Sequence, residues 1–142
     1  MGWEPRQKDL VLILARDVAA RLATPMFVVD AQGTLVFYNE AAEQVLGRPF
    51  SEIGEMTADE WSSAFGPFEA EDGHEMSRRE LPIGVALIEG RPVHRALSMT
   101  GSDGVQHRIA VTAIPLNTHP DEVVGAVALF WLHEDEAQEA PA

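Results

Sequence analysis

Between Ala23 and Gly47 the chain reads ATPMFVVDAQGTLVFYNEAAEQVLG, and this run constrains the fold more than any other. Two apolar stretches, Met26 to Val29 and Thr34 to Tyr38, flank a short polar turn. Asp30 opens a type I turn through its side-chain oxygen, and Gly33 closes it where a residue without Cβ is favoured. The two stretches are therefore expected to pair as a hairpin. Asn39 stands where an N-cap must accept a backbone N–H, Glu40 to Leu46 form a short helix, and Gly47 is its C′ residue. Glu43 falls one position late for a capping box. Any α+β domain accommodates such a unit, so the rest of the chain has to narrow the choice.

Asp72-Gly73 comes next, followed by a helix-like Arg79 to Glu89 and then Gly90-Arg91-Pro92-Val93. Two strands around Gly101-Ser102-Asp103-Gly104 and a final Val123 to Leu132 strand complete the order. With the segments DGxxM, ELPIGVAL, GRPV, SDG, TAIPL and VVGAVALF in this sequence, residues 23–133 resemble a PAS domain. The resemblance implies an α+β fold with a five-stranded antiparallel sheet, strand order 2-1-5-4-3. Helices would pack on one face, and the role would lie in sensing or interaction.

At 142 residues with 46% hydrophobic content, the chain suits one domain with a real core. Ten basic against 23 acidic side chains give a formal charge of −13, a field that repels phosphate backbones and anionic headgroups. No nucleic-acid or membrane partner is expected. The absence of cysteine removes disulfides, thiolate catalysis and cysteine-metal sites, and makes the cytoplasm the default location. Leu10 to Ala15 is too short an apolar run to span a bilayer. The acidic stretch over residues 134–142 is expected to be a disordered tail.

Residues 1–22 read as an N-terminal amphipathic element, with a helix from Lys8 to Leu22 that Thr24-Pro25 ends. Val11, Leu14, Ala15, Val18 and Leu22 recur at the spacing of one helical face. Leu12 and Ile13 lie about 100° and 200° round the axis from Val11, outside a single core stripe. A helix in this place is a recurrent dimerisation element in domains of this resemblance. A homodimer through Val11, Leu12, Ile13, Leu14 and Val18 is therefore expected, the alternative being a helix folded across its own sheet. Val123 to Leu132 is apolar at both parities, so both of its faces should be covered. The sequence leaves open which parity faces which side.

Catalytic signals are weak. There is no G-x-S-x-G elbow, no H-E-x-x-H pair and no glycine-rich phosphate loop. His74, His94, His107, His119 and His133 are scattered rather than set at metal-ligand intervals, so no metal site is expected. An enzyme using His74 or His94 as a base is a minor alternative to a non-enzymatic protein. Haem-binding relatives place an axial histidine on the helix that here reads Arg79 to Glu89 and holds none, so haem is not expected. Light-sensing flavin relatives form their photoadduct through a cysteine, which this chain lacks. PAS sensors often finish with an Asp-x-Thr element, whereas here the stretch is His133-Glu134-Asp135. Signals would therefore pass to a separate protein or a second copy.

Large side chains between Ser51 and Arg79, namely Met56, Trp61, Phe65, Phe68 and Met76, are interrupted by glycines and suit a wrapping cover better than one long helix. With Ile83, Val85, Leu87 and Ile88 they would enclose an apolar ligand such as a fatty acid against Leu97, Val111 and Leu129. Tyr38 and Asn39 would supply polar orientation. The competing expectation is a completely filled core, the normal state of an interior, in a module that only binds proteins. Which cofactor, if any, such a pocket holds is not legible.

Overall fold

The computed structural model describes residues 4–100 and 104–132. The acidic tail, His133 to Asp135 and the Gly101-Ser102-Asp103 turn lie outside these residues. Helix α1 (Glu4–Ala20) precedes β1 (Met26–Asp30), β2 (Leu35–Tyr38) and the short helices α2 (Glu40–Leu46), α3 (Phe50–Ile53) and α4 (Ala58–Phe65). A two-residue strand β3 (Phe68–Glu69) follows, then α5 (Pro82–Glu89), β4 (Val93–Thr100), β5 (Gln106–His119) and β6 (Glu122–Leu132). The sheet is antiparallel throughout in the order β2-β1-β6-β5-β4-β3. The expected five strands keep their order. The sixth, β3, is added at the edge, where Phe68 and Glu69 pair with Met99 and Ser98.

The opening hairpin forms as its turn residues require. Asp30 Oδ1 accepts from the Gln32 and Thr34 amides, each at 3.0 Å, and Gly33 takes φ +83° while its N–H bonds the Asp30 carbonyl. Asn39 caps α2 through Ala42 N, and Gly47 ends it in the left-handed region. Glu43, displaced from the capping-box position, instead accepts from the Phe50 amide and ties α2 to α3. A capping box does occur one helix later, between Thr57 and Glu60.

The fifth helix starts at Pro82 rather than Arg79. Ser77 to Glu80 form a turn whose Ser77 amide is bonded by the Glu80 carboxylate, and proline at the first helical position fixes the start. The first helix likewise ends at Ala20, and the Arg21 and Leu22 amides close a final turn onto Val18 and Ala19.

Helices α2 to α5 cover one sheet face and α1 crosses the other, so two apolar clusters sit on opposite sides of one sheet. The inner cluster holds Phe27, Tyr38, Trp61, Phe65, Leu97, Val111 and Phe130 among others. The outer cluster is small: Ala15, Ala19, Met26, Val28 and Val127, with Leu12, Val36, Phe37, Leu116 and Leu129 packed against it. The parity of β6 is thereby settled. Ala126, Ala128 and Phe130 face inward, while Val127 and Leu129 face α1.

The helix lies on the sheet by a face other than the expected one. Alanines 15 and 19 are buried and Leu12 rests over Gly125, because small residues let the helix axis approach the sheet closely. Leu14 and Val18, expected on the core stripe, are 54% and 53% exposed. Leu12, expected to be uncovered, is a packing residue.

Candidate functional site

The concave side of the sheet, under α4, β3 and the start of α5, encloses a cavity of about 50 Å³. Four aromatic side chains bound it. The Phe27 ring stands edge-on to Trp61 and Phe130, and Trp61 edge-on to Phe68, with centroids 5.2 to 6.4 Å apart. The Trp61 indole N–H donates to the Gly33 carbonyl at 2.9 Å, which pins α4 beneath the β1–β2 turn and removes the ring's polar atom from the cavity. The lining is otherwise aliphatic, from Leu81, Pro82, Ile83, Leu97, Met99, Ile109, Val111 and Ala128.

Four of the ten residues expected around a ligand, Trp61, Ile83, Leu97 and Val111, line this cavity. The other six do not. Phe65 is buried in the adjacent core, against the rings of Phe27 and Tyr38. Leu129 packs on the opposite sheet face, since neighbouring strand residues point to opposite sides and the inward parity belongs to Ala128 and Phe130. Leu87 and Ile88 border an open trough of about 480 Å³ between the β1–β2 turn, α4 and α5, where Ile88 is 65% exposed. Arg78 on the trough rim is paired with Asp59 at 3.2 Å.

Tyr38 and Asn39 are structural rather than ligand-orienting. The Tyr38 hydroxyl donates to the Arg48 carbonyl at 2.7 Å, and burial, helped by Glu43, pushes its pKa up to about 12. Asn39 is 1% exposed and holds three segments together. Its Oδ1 accepts from Met26 N and Ala42 N, both at 3.0 Å, while its Nδ2 donates to the carbonyls of Ala19 and Thr24 at 2.9 and 2.8 Å.

Phe68, expected in the wrapping cover, also lines the cavity, whereas Phe27, Leu81, Met99, Ile109 and Phe130 line it but were not read from sequence. For the strand residues Phe27, Met99, Ile109 and Phe130 the signal was the strand period, which became usable only once β6 parity was known. Val111 then stands opposite Phe130, Ala113 opposite Ala128, and Leu97 opposite Ile109.

The second candidate surface is on the outside of the sheet. Arg16 of α1 lies over the Phe37 ring at 5.3 Å, so that flank of the helix is turned toward β2. At about 100° per residue, Leu14 and Val18 then fall on the flank toward β5. Ile114 and Trp131 are exposed on the same sheet face, and Trp131 packs at 6.0 Å on the His94 ring, itself 2.7 Å from the Thr112 hydroxyl. Ile13, 58% exposed, adds to the apolar surface on the outward side of the helix.

A family model of the PAS fold matches residues 19–132, and the chain belongs to that family. Among solved structures, the light-oxygen-voltage protein of Rhodobacter sphaeroides matches with TM-score 0.67 and 16% identity, over 94% of this chain and 74% of that one. The PAS domain of nitrogen regulation protein NR(II) from Vibrio parahaemolyticus gives 0.61 and 14%, over 84% and 97%. The PAS domain of the fruit-fly ELK potassium channel gives 0.66 and 12%, over 86% and 96%. At these identities the likeness is one of fold. No curated protein matches the chain by sequence.

The residues present do not fit a flavin or a haem in this cavity. Ligand pockets of that kind enclose roughly 300 to 1,000 Å³ and offer placed polar groups. Here the space is far smaller, and neither a histidine nor a hydrogen-bonding side chain is directed into it. With no cysteine in the chain, a flavin–cysteine adduct has no nucleophile. Among the described residues, no group of three or more histidines and acidic residues is placed to hold a metal ion, and no helix is long and apolar enough to cross a membrane.

Proposed function

We propose that this chain is a PAS-type regulatory module that works by changing its association, with a second copy of itself as the partner at the outer surface. The observation that carries this reading is the uncovered apolar flank of α1, Leu14 and Val18, together with the exposed Ile114 and Trp131 on the sheet face that α1 crosses. Apolar side chains that stand together on a surface mark an interaction site, whereas scattered ones do not. A second copy satisfies both patches at once, because a twofold interface brings the same patch from each side. The role is non-catalytic in this proposal. His94 lies on the outer face, and His74 is held between two carboxylates away from the cavity. A separate signalling protein reading the dimer, and the cytoplasmic setting expected of a cysteine-free chain, belong to the same proposal.

Leu14→Glu with Val18→Glu is expected to convert the dimer to a monomer of unchanged fold, because both side chains are exposed in the single chain. Light scattering after size-exclusion chromatography checks the mass, and circular dichroism checks the fold. A double variant that stays dimeric removes α1 from the interface. Leu12→Glu is unsuitable for this purpose, since Leu12 lies over Gly125 and its loss disturbs the domain itself.

A second reading, response to a small apolar ligand, rests on the wholly apolar lining of the inner cavity. Dry apolar cavities of about 150 Å³ take benzene or xenon, so one of 50 Å³ suits only a ligand of a few heavy atoms unless its cover moves. Xenon is expected to shift the methyl resonances of Leu97, Val111 and Ile109 at concentrations where a fatty acid does not. A fatty acid that shifts them saturably reverses this order and requires an opened cover.

A further inference from the structure

The segment between β3 and α5 folds back on the end of the sheet. The Ala70 amide bonds the His74 carbonyl, the Met76 amide bonds the Phe68 carbonyl, and Glu69 bridges Glu75, so residues 68–76 fold back as a small hairpin at the sheet edge. Five residues later the chain enters α5 through Leu81 and Pro82. Phe68 on the hairpin and Leu81 and Pro82 at the helix start are three walls of the inner cavity.

One side chain links the two segments. His74 Nδ1 is 2.6 Å from Asp72 Oδ1, and its Nε2 is 3.1 Å from Glu80 Oε2. Ionised carboxylates only accept hydrogen bonds, and a neutral imidazole has one N–H to give. Both contacts are satisfied together only by an imidazolium, which donates from both nitrogens. After loss of one proton, a ring nitrogen bearing a lone pair faces a carboxylate, and that contact repels. The shorter bond to Asp72 is within one turn of chain, so Glu80 is the partner released.

We propose that His74 is a proton-operated clasp: as an imidazolium it ties the β3 hairpin to the entry of α5, and on deprotonation it releases Glu80 and lets those cavity walls part. Its charged surroundings reinforce the assignment. Asp72 on its own turn and Glu80 ahead of α5 are the charged groups in contact with it. On neighbouring elements, Arg108 of β5 is directed to Glu71 at 3.9 Å, Gln106 of β5 to Glu69 at 3.0 Å, and Arg78 to Asp59 of α4 at 3.2 Å. β4 presents Met99 and Ser98 to the hairpin strand, neither of them charged.

The direction of titration agrees. Hydrogen bonds to Asp72 and then Glu80 raise His74 above its ordinary value of 6.5, while backbone amides lower both carboxylates, that of His74 for Asp72 and that of Ser77 for Glu80. A raised histidine value means that the clasp is fully present below about pH 6.5 and is lost as pH rises through the raised value. Lowered carboxylate values mean that it is also lost when pH falls through them. The clasp therefore works in the interval between.

Amide hydrogen exchange of the intact protein, corrected for the intrinsic pH dependence, tests this. Protection over residues 68–82 is expected to fall by up to about fivefold between about pH 6 and about pH 8.5, the range for an exposed ionic contact. His74→Gln and Glu80→Gln, both at exposed positions, are expected to abolish that dependence. Glu80→Gln should also lower the His74 titration midpoint read by NMR. Protection that is independent of pH in the natural chain, or equally dependent in His74→Gln, overturns the clasp. Because the readout is the chain's own backbone, the result does not depend on a ligand or on the dimer.

Discussion

Asn39→Ala is expected to cost roughly 3 kcal/mol of folding stability, a fall of about 10 °C in melting temperature for a domain of this size. The reason is the number of buried backbone groups that one side chain serves. Its Oδ1 takes the Met26 and Ala42 amides, and its Nδ2 supplies the Ala19 and Thr24 carbonyls. Alanine leaves all four without these bonds, and unmatched buried polar groups are expensive. Asn39→Asp separates the two halves of the role. A carboxylate keeps the cap on α2 but turns an acceptor toward the carbonyls of Ala19 and Thr24. Asp is therefore expected to retain α2 while α1 detaches, with exchange protection lost at residues 15–22 and stability reduced nearly as far as in Ala. A melting temperature within about 2 °C of the natural chain for Asn39→Asp would mean that the tether to α1 contributes little.

Gly84→Ala is expected to destabilise by roughly 2 kcal/mol, against the sign of helix propensity. Alanine in a helix interior is ordinarily better than glycine by about 1 kcal/mol. Here an added Cβ would run into the Arg78 carbonyl oxygen, which is backbone and cannot swing aside, with the Arg79 Cα at 3.3 Å. The Ser77–Glu80 turn must then lift from α5. That turn leads into the walls of the inner cavity, so the substitution also loosens Leu81 and Pro82. Thermal denaturation reads the sign directly. A stabilised Gly84→Ala would show that the turn moves freely over α5, and would remove the firm floor on which the His74 clasp depends.

The first prediction rests on contacts between segments distant in sequence, Asn39 with Ala19 and Thr24, and the second on how a turn folds back over the helix that follows it; neither is visible in a local pattern. The opening hairpin, the N-cap at Asn39 and the C′ glycine at Gly47 follow from local chemistry: a short polar side chain reaching its neighbour's amide, and a residue tolerant of positive φ. Such effects act within a few residues and need nothing from the remainder of the chain. The strand order rested on segments whose sequence resembles a PAS domain, and it stands with β3 added at the edge. A two-residue strand has too short a hydrophobic pattern to announce itself.

Periodicity established that α1 is amphipathic but not which stripe would be buried. Leu12, Ala15 and Ala19 form the contact because the small Ala15 and Ala19 let the helix approach the sheet and Leu12 fits over Gly125, a criterion that counting apolar side chains misses. The same limit applied to β6, whose two faces are equally apolar in sequence. Only pairing with β1 and β5 turned Phe130 inward and Leu129 outward. The sequence by itself determined the local turns, the caps and the amount of apolar surface to be buried. The tertiary structure decided how that surface was shared between an almost filled inner core and an open outer flank, because packing depends on shape and distance as well as on hydrophobicity.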